Sequence, residues 1–117
     1  MMLDQKDKLS SEIGKRIATR RTQLGLTQEQ AAERSGLTQQ FFASVETGTK
    51  NIRAESIIRV SKALNVSTDF LLTGTVSNID CNRLTNMLMQ LDEEHFLAIE
   101  SIIMQILNFG GYTEENR

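Results

Sequence analysis

The 117-residue sequence contains no proline, no tryptophan, one histidine and one cysteine, Cys81. A lone cysteine cannot form a disulfide within the chain, and one cysteine with one histidine cannot complete a tetrahedral zinc site. Apolar runs fall far short of the roughly 20 residues that span a bilayer. The beginning, MMLDQKDKL, mixes both signs of charge and lacks an apolar core, so we expect no signal peptide. These absences predict a cytoplasmic protein without metal, cofactor or membrane contact.

Residue groupings typical of enzymes are also missing. We find no recognisable pairing of a nucleophile with a base, no glycine-rich phosphate loop and no paired acids in a catalytic setting. The sequence therefore predicts a protein that binds a partner and not an enzyme.

Charge is divided unevenly along the chain. The formal net charge is −2, which by itself argues against a nucleic-acid binder. However, residues 1–75 hold 11 Lys and Arg against 8 Asp and Glu, and residues 76–117 hold 2 against 7. This distribution matters more than the sum, because it indicates a basic module followed by an acidic one.

Helical patterns account for the basic module, and no segment alternates like a strand, so we expect an all-α fold. Ser10 or Ser11 would cap a first helix, with Ile13, Ile17 and Leu24 on its inner face. Its arginines form a charge run, and such runs usually solvate a helix face. Further helices follow at 28–35, 39–47, 54–64 and 68–73, each bounded by a capping residue or a glycine.

The second and third helices have the spacing of a helix-turn-helix. Ala32 is small where the helices must pack closely, and Gly36 supplies a left-handed turn that glycine adopts freely. Phe42 and Val45, three residues apart, can both point inward. Polar side chains then face outward near the start of the third helix, the end that enters the major groove in such motifs. These side chains are Thr38, Gln39, Gln40 and Ser44.

The segment RTQLGLTQEQAAERSGLTQQFFASVETG, followed by SIIRVSKALNVSTDFLLTG, resembles the lambda-repressor-like (Cro/C1-type, Xre) helix-turn-helix family. The resemblance covers residues 11–74 and implies a five-helix domain that binds double-stranded DNA through the major groove. It also implies roles for single residues. The base-reading residues would be Gln28, Thr38, Gln39, Gln40 and Ser44; the phosphate-contacting residues would be Thr27, Lys50, Asn51 and Arg53.

The same resemblance implies a structural ion pair between Arg21 and Glu46. Two features depart from the family pattern. Many members have a proline near Arg53, which this chain lacks. Phe41 is bulky where many relatives carry a small or polar residue, and it could pack in the core, contact a thymine methyl or join another surface.

The acidic module predicts two more helices, the second capped by Asp92 and running to about Phe109. This helix is apolar around more than one face and therefore needs cover on several sides. A second copy of the same hairpin is the favoured cover; folding back on residues 11–74 and binding a different protein are the alternatives. The predicted dimer interface comprises Leu84, Leu88, Phe96, Ile99, Ile102, Ile103, Ile106 and Leu107.

The predicted organisation has five parts: a lead-in at 1–10, the DNA-binding domain at 11–74, a linker at 75–79, a helical dimerisation hairpin at 80–110 and a frayed tail at 111–117. The favoured function is a transcriptional regulator, a repressor, that reads a palindromic operator as a homodimer and is open to control by a protein antagonist. The alternative is an antitoxin or anti-repressor that acts by binding a protein and also binds its own promoter.

Overall fold

The computed structural model of the chain describes the backbone of residues 5–109 and the side chains of residues 8–109. This part forms seven α-helices and no strand, as predicted for an all-α protein. The predicted tail at 111–117 lies outside the described residues. The helices are α1 (Gln5–Gln23), α2 (Gln28–Ser35), α3 (Gln39–Glu46), α4 (Ala54–Leu64), α5 (Thr68–Thr73), α6 (Asn78–Leu88) and α7 (Glu93–Phe109).

The chain divides into two compact units, Met1–Cys81 (the first unit) and Asn82–Arg117 (the second unit). In the first unit, α1 packs on α3 and α5, and α2 packs on α3 and α4. Each helix contributes an apolar stripe at helical spacing, so the five helices share one core. The core residues are Ile13, Ile17, Leu26, Ala31, Ala32, Phe42, Val45, Ile57, Val60, Leu64 and Leu71.

The predicted beginnings of α2, α3 and α5 are confirmed by their N-terminal caps. The Thr27 hydroxyl accepts from the Gln30 amide at 3.1 Å while the Gln30 side chain accepts from the Thr27 amide at 2.9 Å, which completes a capping box. Thr38 and Ser67 cap α3 and α5 in the same way. These caps satisfy backbone N–H groups in the first turn of each helix and so define where each helix begins.

Helix α1 begins earlier than predicted. It starts at Gln5, so Ser10 and Ser11 lie inside the helix and do not cap it. Lys8 and Leu9 favour helix, and no glycine or proline interrupts residues 5–12, so the helix extends toward the N-terminus. Leu24, predicted on the inner face of this helix, lies beyond its end and is exposed.

The arginines of α1 do not form a solvated face. Arg20 donates to the carbonyl oxygen of Leu64 at 2.9 Å and to that of Asn65 at 3.3 Å, at the C-terminal end of α4. Arg16 donates to the Leu71 carbonyl in α5 at 3.2 Å. Carbonyls in the last turn of a helix lack intrahelical partners and carry partial negative charge, so cations there are stabilising. These two arginines therefore hold α4 and α5 against α1.

Asp80 joins the beginnings of α5 and α6. Its carboxylate accepts from the amide and hydroxyl of Ser67 at 2.9 and 2.8 Å, and from the amide and hydroxyl of Ser77 at 2.9 and 3.0 Å. Burial opposes ionisation of this carboxyl, but the four hydrogen bonds outweigh it and hold the pKa of Asp80 well below its ordinary value. Helix α6 begins at Asn78, two residues before the predicted start of the hairpin.

The second unit contains most of α6 and all of α7. Asp92 caps α7 as predicted, because its carboxylate accepts from the His95 amide at 2.8 Å. None of the described residues 82–109 is buried. None of the described helices combines the length and hydropathy needed to cross a bilayer. The described part of the second unit therefore carries an apolar helix, α7, without a core of its own.

Candidate nucleic-acid interface

Helices α2 and α3 are joined by a turn at Gly36, whose φ of 69° lies in the left-handed region that glycine adopts without a steric cost. Phe42 and Val45 point from α3 into the core. Gln39 and Gln40, in the first turn of α3, are exposed. The packing therefore presents the polar beginning of α3 outward, as the sequence spacing predicts.

The remaining polar residues of this face are partly engaged. The Thr38 hydroxyl accepts from the Phe41 amide at 3.1 Å. Ser44 is half-buried, and its hydroxyl donates to the Gln40 carbonyl at 2.9 Å. Within the described residues, the side chains of Gln39 and Gln40 make no hydrogen bond, whereas those of Thr38 and Ser44 bond to the helix backbone.

Glu46 is the centre of a network between α1, α2 and α3. Arg21 donates to both of its carboxylate oxygens, Nε at 2.6 Å and Nη2 at 3.1 Å, and Nη1 donates to the Leu26 carbonyl at 2.9 Å. The hydrogen bond to Glu46 raises the pKa of Arg21. Gln28, a predicted base-reading residue, donates from Nε2 to the Glu46 carboxylate at 2.9 Å. Glu46 therefore fixes Arg21 and orients the Gln28 amide at the start of α2.

Gly14 was not singled out by the sequence analysis, although it positions α3. A Cβ atom at this buried position in α1 would overlap the carbonyl oxygens of Val45 and Glu46. Only glycine lets α1 approach the end of α3 this closely. The available signal was a glycine inside a segment that is helical on both sides.

The loop between α3 and α4 carries the predicted phosphate-contacting residues. Lys50, Asn51 and Arg53 are all exposed, and the Ser10 hydroxyl of α1 donates to the Asn51 side-chain carbonyl. Arg53 precedes α4 with φ −78°, a value that proline would also adopt, and makes no side-chain cap. Thr27, the fourth residue of this set, is exposed at the cap of α2. The loop thus offers two cationic side chains beside α3.

Phe41 is half-buried and packs against the core of the first unit. Of the three alternatives left open by the sequence, the structure shows packing against the core. Its bulk is therefore accommodated inside the domain.

The predicted dimer-interface residues are spread over α6 and α7 and bury little in one chain. Leu88 is half-buried, and the other seven, from Leu84 to Leu107, are exposed by between 37% and 61%. Met104, Leu97 and Phe109, which the prediction did not include, are also exposed. The apolar surface of the second unit is thus wider than the predicted interface.

Comparison with known proteins identifies the class. A helix-turn-helix family model matches residues 17–71. The SPbeta prophage-derived HTH-type transcriptional regulator YonR of Bacillus subtilis (strain 168) is 34% identical over 74 residues, covering 63% of this chain and 68% of the relative. The HTH-type transcriptional regulator y4dJ of Sinorhizobium fredii is 38% identical over 63 residues, covering 54% and 82%. The chain spans about half (52%) of the regulators from Sinorhizobium medicae and Rhizobium meliloti that it matches.

Solved structures give the same result for the fold. The restriction-modification controller protein C.AhdI of Aeromonas hydrophila is similar with a TM-score of 0.52 and 32% identity, over 53% of this chain and 94% of that one. The P22 c2 repressor, solved with a synthetic operator, gives 0.52 and 30%, over 54% and 96%. A chain of the SinR–SinI complex, 22% identical, is similar in fold over 82% of this chain and 98% of its own length, with a TM-score of 0.54.

This chain belongs to the Cro/C1-type helix-turn-helix family of DNA-binding transcriptional regulators. The lambda-repressor-like fold predicted for the first unit is confirmed by the same comparisons.

Proposed function

We propose that this protein is a cytoplasmic transcriptional repressor that reads a palindromic operator as a homodimer. The observation that carries the proposal is the exposed, uncharged beginning of α3, held outward by a buried Phe42 and Val45 and flanked by the cationic loop. A helix with this arrangement suits the major groove, where glutamine can pair with both N6 and N7 of adenine. The beginning of α3 supplies base reading, and the adjacent loop between α3 and α4 supplies phosphate contact.

In this proposal, Gln39 and Gln40 read base edges, because in the described part of the chain their side chains make none of the hydrogen bonds that hold Thr38 and Ser44 to the helix backbone. Gln28 has one N–H bonded to Glu46, which leaves its other N–H and its carbonyl oxygen for a phosphate or a base. Lys50 and Arg53 contact phosphates, which fix the register of the domain on the duplex without reading sequence.

The homodimer is proposed from the second unit. Residues 82–109 bury no side chain, while α7 exposes apolar side chains on several sides. Apolar helices of this kind are stable when a partner surface removes them from water. A second copy supplies that surface and also relates two DNA-binding domains by a two-fold axis, as a palindromic operator requires.

The test is selection of bound duplexes from a random pool, near physiological salt, with the full chain. We expect enrichment of two inverted half-sites about one helical turn apart. Weak, salt-sensitive binding without enrichment would contradict sequence-specific reading.

Two variants separate the proposed roles on the selected operator. Gln40→Ala should cost roughly 1–3 kcal/mol and relax the preference at one base pair of each half-site. Lys50→Ala should weaken binding to all sequences alike and reduce the salt dependence by about one counterion. Gln23→Ala, at an exposed position at the end of α1, is the control that should change neither.

The second candidate is an antitoxin or anti-repressor, or a regulator controlled by a protein antagonist. The uncovered apolar surface of α7 favours it, because such a surface could bind a different protein as well as a second copy. The test is whether the chain forms a stable complex with another protein. A complex that contains one copy of the chain, and whose first unit still binds the operator, would support this candidate over the homodimer.

A further inference from the structure

Asn51, in the loop between α3 and α4, is held by a residue of α1. Its side-chain oxygen Oδ1 accepts a hydrogen bond from the Ser10 hydroxyl. An asparagine amide also carries two N–H donors on Nδ2, and within the described residues these donors make no hydrogen bond. Asn51 is exposed, so both donors face water. The contact with Ser10 therefore occupies the acceptor end of the amide and leaves the donor end for an external acceptor.

The backbone of this loop is built against the same part of α1. Gly48 has a φ of 80°, and a Cβ atom there would lie 2.9 Å from Cα and 3.1 Å from the amide nitrogen of Ser11. In the last turn of α3, the Ser44 carbonyl accepts from the Thr49 amide at 3.0 Å and from the Thr49 hydroxyl at 3.1 Å. The loop backbone is thus held between α1 and α3, and its exposed side chains are the parts that still have to be ordered when DNA binds.

Ordering a side chain weakens binding. An exposed side chain loses rotamer freedom in a complex, which reduces affinity by roughly twofold to tenfold, and a side chain already held in its bound orientation avoids this loss. The hydrogen bond from Ser10 gives Asn51 that order in the free protein. Ser10 precedes residues 17–71, which the family model matches, and it belongs to α1 because this helix begins at Gln5. The early start of α1 therefore has a consequence for the loop.

We propose that Ser10 is a positioning residue for DNA binding, which fixes the Asn51 amide so that Nδ2 donates to a phosphate oxygen. This inference rests on the proposed binding of duplex DNA and on the phosphate contact predicted for Asn51. A phosphate oxygen only accepts hydrogen bonds, so an amide that turned Oδ1 toward it would be repelled. Ser10 itself does not touch DNA, and it changes affinity without changing base preference, because phosphate contacts carry no sequence information.

The test is a double-mutant cycle on the affinity of the full chain for the selected operator. We expect Asn51→Ala to weaken binding about tenfold and Ser10→Ala to weaken it roughly threefold. The double variant should bind like Asn51→Ala alone, because Ser10 acts through Asn51. Thr19→Ala, which removes a hydroxyl from an exposed position of the same helix, is the control that should not change affinity. Effects of Ser10→Ala and Asn51→Ala that simply add would overturn the inference.

Operators with one phosphate replaced by a neutral methylphosphonate give a readout that a merely structural role of Ser10 would not change. The replacement is moved along one half-site, one position at a time. We expect one position at which it weakens binding of the unchanged chain but not of Asn51→Ala. Ser10→Ala should lose most of its sensitivity at that position and keep it at the others. A Ser10→Ala protein with full sensitivity there would contradict the positioning role.

Lys50→Ala separates this inference from the proposed function, because Lys50 is proposed to contact phosphate without help from Ser10. If Lys50→Ala weakens binding while Ser10→Ala binds like the unchanged chain, the positioning role is wrong and the proposed function stands. If the unchanged chain enriches no operator, the proposed function is wrong and the inference fails with it.

Discussion

The two units differ in how their apolar residues are used. The first unit buries 11 apolar side chains in one core, whereas residues 82–109 bury none. Each helix of the first unit has one apolar stripe, which its neighbours within the unit can cover. The apolar residues of α7 form one wide, continuous arc around the helix, and one adjacent helix cannot cover all of it. The width of the apolar arc therefore indicates whether a helix completes its packing within its own unit or requires a partner.

Removal of one aromatic side chain from each unit should give the largest contrast. Phe42→Ala empties a core position that is 1% exposed, and we expect it to lower the free energy of unfolding by about 3–5 kcal/mol. Phe109→Ala, the same change at a 97% exposed position, should leave it unchanged. Urea denaturation followed by circular dichroism measures both. Equal effects would contradict the difference between the units.

Gly14→Ala should reveal the close contact of α1 with α3. Alanine is favoured over glycine within a helix by about 1 kcal/mol, so an uncrowded site would gain stability. The added Cβ would overlap two backbone carbonyls, and we expect a net loss of about 2–3 kcal/mol. The control is Thr19→Ala, at an exposed position of α1, which should slightly raise the free energy of unfolding. A stabilised Gly14→Ala protein would show that the two helices separate at little cost.

Gly14 also illustrates what sequence can predict here. The caps at Thr27 and Thr38 and the turn at Gly36 depend on residues close together in sequence, and the structure has each of them where the pattern predicts it. The clash at Gly14 involves residues about 30 positions away, so no local pattern indicates it. The arginine contacts to the ends of α4 and α5 join residues 44 to 55 positions apart, and local rules predicted a solvated face instead.

Some features of the candidate site could be predicted from the sequence, and others could not. Spacing alone predicts that Gln39 and Gln40 face outward, because it determines which side of α3 is apolar. The contact of Gln28 with Glu46 joins two helices, so it required the structure. The predicted beginning of α1 was wrong. Ser10 and Ser11 are good caps when considered alone, but the residues before them extend the helix.

Glu46→Gln should test the ion pair that joins three helices of the first unit. The Glu46 side chain is only 5% exposed, so this pair differs from the exposed one between Arg59 and Glu55, whose value we expect near 0.5 kcal/mol or less. Glu46→Gln removes the charge that accepts two hydrogen bonds from Arg21. We expect it to lower the free energy of unfolding, measured with denaturant, by about 2 kcal/mol. Glu55→Gln is the matched control, and an equal cost would contradict the role of burial.

Asp80→Asn should change how stability depends on pH. The hydrogen bonds from Ser67 and Ser77 favour the ionised carboxylate and lower its pKa, so Asp80 stabilises the fold fully above about pH 4. This contribution is lost as the pH falls further, because the unfolded chain takes up the proton first. We expect Asp80→Asn to cost about 1–2 kcal/mol at neutral pH and less in acid.

The measurement is the free energy of unfolding of both proteins between pH 7 and pH 3. We expect the difference between Asp80→Asn and the unchanged protein to become smaller toward pH 3. Asp69→Asn, at an exposed position in the first turn of α5, is the control. Two parallel pH profiles for Asp80→Asn and the unchanged chain would show that the four hydrogen bonds do not depend on ionisation.

Ile102→Ser, at a residue of the predicted dimer interface on α7, should have the smallest effect on the first unit and the most direct bearing on the second. The residue is 51% exposed, so in dilute, monomeric solution we expect no change in the unfolding of the first unit. At higher concentration the variant should self-associate more weakly, by roughly tenfold, because each copy loses apolar area from the interface. Sedimentation over a concentration series measures this, with Ser101→Ala on the polar side of α7 as control. If the variant associated as strongly as the unchanged chain, the dimer would have to use a different surface, and the uncovered isoleucines would need another partner.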